Sequence, residues 1–286
     1  MKWFNVTLLF LALLLAFGLT LFYVYPVYGF WIFVSNLGSV EFYMIILPVA
    51  YHMLPRVEAL GLALALLFAT SLTGVLKDVF KLPRPPEGLW IVREEGYGFP
   101  SGHSTGSSAF WCYLSLYKPL APLIAFSTVM ILSVSISRLM LGVHYPRDVV
   151  GGVIVGVTLA SISYIVVRSL SLRSVISIAL VISFASLVLY YAGFGVLEPP
   201  SVLLGIVLGE IVCSRFNLTF IAGWTYGVIG SILALFLGVP ALRVKAEIPL
   251  LSLTLLTLAG FLAVLIPRII RRRIRGGFIG EEISSS

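Results

Sequence analysis

This sequence has little charge and little cysteine. Of its 286 residues only 11% are charged while 59% are hydrophobic. About a quarter of the residues in a soluble domain are charged, so the composition excludes a water-soluble globule. The two cysteines, Cys112 and Cys213, both lie within apolar runs, which excludes a disulfide-rich scaffold and indicates buried thiols. The long apolar runs instead predict an all-α fold, a polytopic transmembrane helical bundle.

The excess of basic residues does not indicate a nucleic-acid partner. Nineteen Lys and Arg against twelve Asp and Glu give a net charge of +7. These basic residues stand at the ends of apolar runs, where they set membrane topology and contact anionic lipid head groups. We therefore predict no nucleic-acid binding and a multi-pass protein of the cell membrane. A cytoplasmic N-terminus places most of the basic residues on the cytoplasmic side, as the positive-inside rule requires.

Hydropathy predicts about ten membrane spans. The first runs from Val6 to about Tyr25. The other nine are centred near Ile46, Leu66, Phe110, Met130, Ile154, Val181, Leu208, Gly230 and Leu256. The runs around Phe110 and Leu208 are short for a bilayer, which predicts tilted or distorted helices there.

Polar residues concentrate in two connections, 77–103 and 137–148, which this topology places together on the extracytoplasmic face. They contain three short segments, KDVFKLPRP, PSGH and SRLMLGVHYPRD. The segments supply three cations, a serine and a glycine, namely Lys77, Arg84, Arg138, Ser101 and Gly102. Arginine offers a planar fork to phosphate oxygens, lysine adds a point charge, and glycine lets the backbone approach an anion. We therefore predict a phosphate site built from these five residues.

Two of the three histidines stand in the same segments. His144 precedes Asp148 by four residues, a spacing that keeps both side chains within reach at the start of a helix. A carboxylate on one imidazole nitrogen fixes the tautomer and leaves the other nitrogen nucleophilic. We predict that His144 is the nucleophile, that Asp148 orients it, and that His103 is the acid that protonates the leaving oxygen.

The three segments resemble, in order and spacing, the signature of the type-2 phosphatidic acid phosphatase superfamily of membrane lipid phosphatases. The resemblance covers about residues 35–168. It implies hydrolysis of a lipid phosphomonoester or pyrophosphate, with a phosphohistidine intermediate on His144 and with no metal or other cofactor. The stretch GYGFPSGH is also similar to the sphingosine-1-phosphate phosphatase branch. The expected partner is therefore a lipid phosphate substrate that stays in the bilayer.

The resemblance also divides the chain. It implies a six-helix phosphatase core in residues 1–168, with the active-site loops 77–103 and 137–148. Residues 169–286 then add about four transmembrane helices and a basic cytoplasmic tail. The active site is expected on the extracytoplasmic face of the cell membrane.

Two alternatives assign these features to other functions. A lipid phosphotransferase would use the same intermediate on His144 with an alcohol in place of water. A lipid transporter or flippase would explain the additional spans and Glu210, a carboxylate within an apolar run. The ionisable residues cluster at span ends and not at the bilayer midplane, which favours an enzyme. A metal site on the two histidines and Asp148 is disfavoured because three cations surround them.

The C-terminal half carries many small residues. Gly223, Gly227 and Gly230 recur at spacings of four and three, so they share one helix face and predict a packing seam. That seam lies either within one chain or in a homodimer. Glu210 is expected near a membrane interface beside Arg215.

Overall fold

The computed structural model describes residues 28–218 and 223–284, with side chains described as far as Ile270. This part of the chain contains α-helices and one short 3-10 turn at Glu87–Leu89. The helices are α1 (Tyr28–Asn36), α2 (Val40–Met53), α3 (Arg56–Phe80), α4 (Gly102–Tyr117), α5 (Ala121–Met140), α6 (Pro146–Ser169), α7 (Leu172–Tyr191), α8 (Glu198–Arg215), α9 (Trp224–Val244) and α10 (Pro249–Ser284).

The predicted polytopic helical bundle is confirmed. Among the described residues, α3, α5, α6, α7, α9 and Pro249–Ile270 of α10 are long and apolar enough to cross a membrane. A seventh candidate is formed by α1 and α2, which bend by 44° where they meet. Every predicted span centre from Ile46 to Leu256 falls within a helix. The first predicted span, Val6 to Tyr25, lies outside the described residues.

The two runs predicted to be short are short helices. They are α4, with 16 residues, and α8, with 18. Both begin at recognisable signals: Ser101 accepts a hydrogen bond from the Ser104 backbone N–H at the start of α4, and α8 has proline in its first turn. The preceding span, α3, ends at Lys81, which has a left-handed conformation, and prolines follow at once. The long polar connection therefore begins abruptly at the membrane surface.

Helix α3 lies at the centre of the bundle. Its residues from Ala59 to Leu67 are buried on all sides, because α3 contacts α4, α6, α7 and α8 together. A helix that is apolar around its whole circumference is suited to such a position. The core therefore extends from the helices that carry the three polar segments into the C-terminal helices.

Successive connections alternate between the two ends of the bundle. At one end, the Asp78 side chain accepts a hydrogen bond from the Gly195 N–H at 2.6 Å, and Lys245 pairs with Glu198 at 2.6 Å. These contacts bring together the α3–α4, α7–α8 and α9–α10 connections. At the opposite end, Arg168 lies 3.4 Å from Glu58 at the start of α3. The bundle thus has two distinct polar ends separated by apolar helices.

The glycines of α9 form a packing seam within the chain. A Cβ on Gly227 would lie 2.5 Å from Val49 Cα of α2, and one on Gly230 would lie 3.1 Å from Pro48 Cβ. The close approach lets the Ser231 hydroxyl donate to the Ile45 carbonyl at 2.6 Å. This face of α9 is therefore occupied by α2 of the same chain. A homodimer stays a prediction, and its contact surface would have to lie elsewhere.

Glu210 lies in a buried ion network away from Arg215, the neighbour expected from the sequence. Its side chain is fully buried and pairs with Arg56 at 2.6 Å and with Arg268, whose side chain is also fully buried. Tyr51 donates to Glu210 Oε1 at 2.5 Å. Arg215 is exposed at the end of α8. The network joins α2 and α3 to α8 and α10.

Candidate active site

The two polar connections meet at one end of the bundle, where several backbone hydrogen bonds hold them together. The Ser101 N–H donates to the Asp148 carbonyl at 2.9 Å, which ties the start of α4 to the start of α6. The Ile91 N–H donates to the Leu141 carbonyl at 3.0 Å, which joins the long connection to the shorter one. All eight residues predicted from the sequence lie around this junction.

An apolar cap formed by Trp31, Leu141 and Val143 supports the junction. Trp31 comes from α1, so this short helix lies beside the polar loops. Trp90 packs against the cap and donates its indole N–H to the Pro85 carbonyl at 2.8 Å. Gly142 turns the chain here with a φ of +71°, a conformation that glycine adopts at little cost. The polar loops therefore pack against this apolar cap.

His144 lies between a carboxylate and a guanidinium. Its Nδ1 is 3.4 Å from Asp148 Oδ2, and its Nε2 is 3.0 Å from Arg84 Nη1. Arginine can only donate, so Nε2 accepts and the proton of the neutral ring belongs on Nδ1, facing the carboxylate. Asp148 is buried and also accepts from the Tyr145 N–H at 2.9 Å. This is the tautomer that a nucleophilic Nε2 requires.

His144 is neutral at physiological pH in this arrangement. Burial lowers its pKa from 6.5 to about 4, with a further contribution from Arg84 and other nearby cations; the Asp148 hydrogen bond opposes the shift. Nε2 therefore stays unprotonated as the pH falls from neutrality to near 4, while it accepts the hydrogen bond from Arg84. Below that value the ring is protonated and cannot attack.

The three predicted cations are held by neighbouring loop atoms. Arg84 donates to the carbonyls of Gly96 and Glu95 at 3.0 Å and of Val143 at 3.1 Å. Lys77 donates to the Tyr97 carbonyl at 2.5 Å. Arg138 is 2% exposed, and its Nη1 donates to the Ser35 hydroxyl at 2.5 Å. Fixed cations need little rearrangement when charge develops on a bound phosphate.

Glu94 links two of these cations, a role that the sequence did not reveal. Its carboxylate pairs with Arg138 Nη2 and lies 3.5 Å from Arg84 Nη2. Glu94 and Arg138 are 44 positions apart, so only the folded loops bring them together. The Glu94 carboxylate therefore contacts the two guanidinium groups that the sequence predicted to bind phosphate.

Replacing Glu94 with Gln is expected to tighten phosphate binding. A carboxylate and a phosphate cannot both neutralise the same guanidinium groups, so the wild-type substrate must displace Glu94. Loss of this partly exposed contact is worth about 1 kcal/mol, or roughly fivefold. We expect the inhibition constants of inorganic phosphate and orthovanadate to fall by that factor.

The matched control is Glu95→Gln, which removes a charge from the adjacent, exposed residue. It should leave both inhibition constants unchanged. Weaker inhibition of the Glu94→Gln protein would instead identify Glu94 as a residue that positions the two arginines for phosphate.

The start of α4 carries the remaining predicted residues. Ser101 is fully buried; its N–H is bound to Asp148 and its hydroxyl caps α4. Gly102 and His103 form the first turn and border a cavity together with Lys77. A Cβ on Gly102 would meet no atom within 4 Å, so an anion can approach the positive end of the helix dipole there.

Comparison with known proteins identifies the segment that holds this site. Residues 58–171 match the PAP2 superfamily. We call residues 58–171 the PAP2-matching segment. All eight predicted site residues lie within this segment, whereas Ser35 and the helices α8 to α10 lie outside it. The resemblance inferred from the three segments is confirmed over this range.

Three curated proteins are similar to part of the chain. A probable sphingosine-1-phosphate phosphatase from Dictyostelium discoideum is 30% identical over 43% of this chain and 34% of its own length. A dihydrosphingosine 1-phosphate phosphatase from Schizosaccharomyces pombe is 30% identical over 46% of this chain and 36% of its own length. Phosphatidylglycerophosphatase B from Bacillus subtilis is 35% identical over 35% of this chain and 54% of its own length. The chain thus spans about a third to a half of these relatives.

One solved structure is also similar. It is the transmembrane PAP2 type phosphatidylglycerolphosphate phosphatase from Bacillus subtilis, 24% identical, with a TM-score of 0.41 over 56% of this chain and 93% of that chain. Within the described residues of the present chain, no group of three or more His, Cys, Asp or Glu side chains is arranged to hold a metal ion.

Proposed function

We propose that this protein hydrolyses a lipid phosphate through a phosphohistidine on His144. One observation carries the proposal: the Nε2 of His144 lies 3.0 Å from Arg84 while its Nδ1 faces the buried Asp148. The nitrogen that would attack is therefore already next to a cation that binds phosphate oxygens.

The chemistry follows from this geometry. The His144 Nε2 lone pair attacks phosphorus, the bond from phosphorus to the ester oxygen breaks, and His103 gives a proton to the leaving alkoxide. In the free site burial and the nearby cations hold the pKa of His103 well below 6.5, so His103 takes up this proton together with the phosphate dianion, whose charge opposes that of the cations. Asp148 stabilises the positive charge that forms on the His144 ring. Water then attacks the phosphoryl group and loses a proton to His103. Inorganic phosphate leaves with the electrons of the P–N bond returned to Nε2.

The three cations stabilise the transferring group in both steps. Lys77, Arg84 and Arg138 supply positive charge where the equatorial oxygens become more negative. The two arginines first exchange Glu94 for phosphate. Because these cations are held by backbone and side-chain oxygens, the proposed reaction needs no metal ion.

The names of the relatives support a lipid phosphomonoester as the substrate. The three curated relatives are named for phosphatases of sphingosine 1-phosphate, dihydrosphingosine 1-phosphate and phosphatidylglycerophosphate. Each of these substrates carries a terminal phosphate on a membrane lipid. The polar end of the bundle would receive such a head group while the hydrocarbon stays among the helices.

The charge distribution supports an extracytoplasmic active site. The end of the bundle remote from His144 carries Arg56, Lys118, Arg168, Arg173, Arg215 and Arg268. The other end carries eight Lys and Arg, and three of them, Lys77, Arg84 and Arg138, are used by the site itself. The remaining five compare with the six at the remote end and with the four arginines that follow Arg268 in the sequence. Since cytoplasmic ends of spans are enriched in Lys and Arg, the remote end is assigned to the cytoplasm.

Release of inorganic phosphate tests the proposal. Purified protein is incubated in excess EDTA with sphingosine 1-phosphate, phosphatidate or phosphatidylglycerophosphate. We expect release from at least one of them, and inhibition by orthovanadate, which imitates the five-coordinate transition state. Activity that is lost in EDTA and restored by a divalent cation would overturn the metal-independent mechanism. No release from any substrate would overturn the function.

A further inference from the structure

A cavity of about 300 Å³ runs between the N-terminal helices and the C-terminal helices. This volume lies at the lower end of the range of about 300–1,000 Å³ that is typical of ligand pockets. Its walls come from α2, α3 and the start of α4 on one side, and from α8, α9 and α10 on the other. The PAP2-matching segment therefore supplies only the walls from α3 and α4.

Continuous faces of single helices form the walls. The α10 wall consists of Leu256, Ala259, Gly260, Ala263 and Val264, which recur at the spacing of one helix face. The α2 wall follows the same spacing from Val40 to His52. Small residues on α10 face larger ones on α2, so the space between them stays open along both helices.

One end of the cavity is the active site. Lys77, Gly102 and His103 border it there. Lys77 and His103, the cation and the acid of the proposed reaction, therefore lie at one end of an apolar channel. A ligand that matches this surface has an anionic group at one end and a hydrocarbon body.

Several polar groups along the walls already have partners. Thr70 donates to the Leu66 carbonyl at 2.8 Å, and Thr73 donates to the Thr105 hydroxyl at 3.1 Å. Glu198 pairs with Lys245. A hydrocarbon chain can therefore lie against these groups without breaking their hydrogen bonds.

The end of the cavity remote from the active site is defined by two residues with fixed contacts. Tyr51 and His52 border it there; the Tyr51 hydroxyl donates to Glu210, and His52 Nε2 lies 3.0 Å from the Ala263 carbonyl. From Val40 to His52, α2 rises about 18 Å at 1.5 Å per residue. One leaflet of the hydrocarbon core is about 15 Å thick, so the cavity has the depth of a single lipid tail.

We propose that this cavity binds one hydrocarbon chain of the lipid phosphate whose head group reacts at His144. The inference rests on the proposed function and adds to it the substrate class, a lipid phosphate with at least one long hydrocarbon chain. It also gives the C-terminal helices a role, because they complete the wall that binds the tail.

Narrowing the cavity at two depths tests this role. Ala259→Leu and Ala263→Leu add bulk four residues apart on α10, about 6 Å along the channel. Thr254→Leu is the matched control, since Thr254 is exposed on the same helix. Each protein is assayed with alkyl monophosphates of short, intermediate and long chain at a fixed mole fraction in the same micelles. The ratio of kcat/KM for the long chain to kcat/KM for the short chain is compared between the proteins. Partition of each substrate into the micelles is the same for every protein and so cancels in this comparison.

We expect Ala259→Leu to lower the long-to-short ratio at least about tenfold, because overpacking is costly, while hydrolysis of the short chain stays within about twofold. Ala263→Leu, one turn deeper, should affect only the longest chains, and Thr254→Leu should match the wild-type protein. If Ala259→Leu does not fold, Ala259→Val should give a smaller change of the same sign.

The outcomes separate the two proposals. If the long-to-short ratio of kcat/KM is the same in the wild-type protein and in every variant, and hydrolysis is intact, the tail site is overturned and the proposed function still stands. Loss of short-chain and long-chain hydrolysis together in folded Ala259→Leu also overturns the tail site and makes α10 part of the catalytic machinery. If the wild-type protein hydrolyses no chain length, the proposed function itself fails.

Discussion

Replacing His144 with Ala is expected to lower kcat for a lipid phosphate by roughly 10⁴-fold or more, because the covalent route disappears. Replacing His103 with Ala should give a different pattern. General-acid catalysis is worth about 10²–10⁴-fold for a poor leaving group, but a nitrophenyl phosphate leaves without a proton. We therefore expect the activated ester to phosphorylate the His103→Ala protein at close to the wild-type rate, although turnover is then limited by water attack, and we expect no phosphorylation of the His144→Ala protein.

Labelling distinguishes the two histidines directly. With a substrate labelled in its phosphoryl group, rapid denaturation should trap an acid-labile label on the wild-type protein. His103→Ala should accumulate more of this label with the activated ester, because water attack also needs the His103 base. His144→Ala should show no label. Label that persists in His144→Ala would assign the nucleophile to another residue.

The site was predictable where its contacts are local in sequence. His144 and Asp148 are four positions apart at a helix start, and Pro146 marks that start. Helix geometry alone therefore brings the ring and the carboxylate together. Ser101 shows the limit of this reasoning. Its place in the PSGH segment predicted a phosphate contact, whereas in the fold its N–H is bound to the Asp148 carbonyl and its hydroxyl caps α4.

Contacts between distant segments were not predictable from the sequence. Glu94 meets Arg138, and Arg138 meets Ser35, only after α1 and both polar loops have folded over the bundle. No hydropathy pattern or spacing rule encodes these pairs. The same holds for the cavity: its helical stripes are visible in the sequence, but only the packing of α9 against α2, of α8 against α3, and of α10 against both α8 and α9 shows that they enclose a space.

For the C-terminal helices, too, the sequence predicted the helical segments but not the residues that they pack against. Hydropathy placed each of them correctly, and the α9 glycines correctly indicated a packing seam. The sequence left open whether that seam joins two chains or lies within one, since small residues permit close approach to any helix. Glu210 was placed beside Arg215, its neighbour in sequence, whereas its partners Arg56 and Arg268 come from α3 and α10.

Removal of the Glu210 carboxylate from its ion network is expected to destabilise the protein strongly. Glu210 and Arg268 have fully buried side chains and pair with each other, while Arg56 is partly exposed. Removing one member of a buried pair leaves the other charge without compensation, which costs about 3–5 kcal/mol. We expect Glu210→Gln to lower the free energy of unfolding by that amount, measured by denaturant titration in micelles.

The same helix offers the control. Glu198 begins α8 and pairs with Lys245, whose side chain is half exposed. Because solvent screens this pair, Glu198→Gln should cost at most about 1 kcal/mol. The double variant Glu210→Gln with Arg268→Gln should recover much of the lost stability, since it removes the uncompensated charge. Equal losses in Glu210→Gln and Glu198→Gln would show that the buried network contributes little.

The network lies at the end of the cavity remote from the active site, which has a functional consequence. Tyr51 borders the cavity and donates to Glu210, so loss of the carboxylate removes the partner that holds this ring. In Glu210→Gln protein that remains folded, the long-chain preference should weaken while short alkyl phosphates are still hydrolysed. His144 and its cations lie at the other end of the helices and keep their contacts. A loss of short-chain hydrolysis in the folded variant would contradict this separation of tail binding from chemistry.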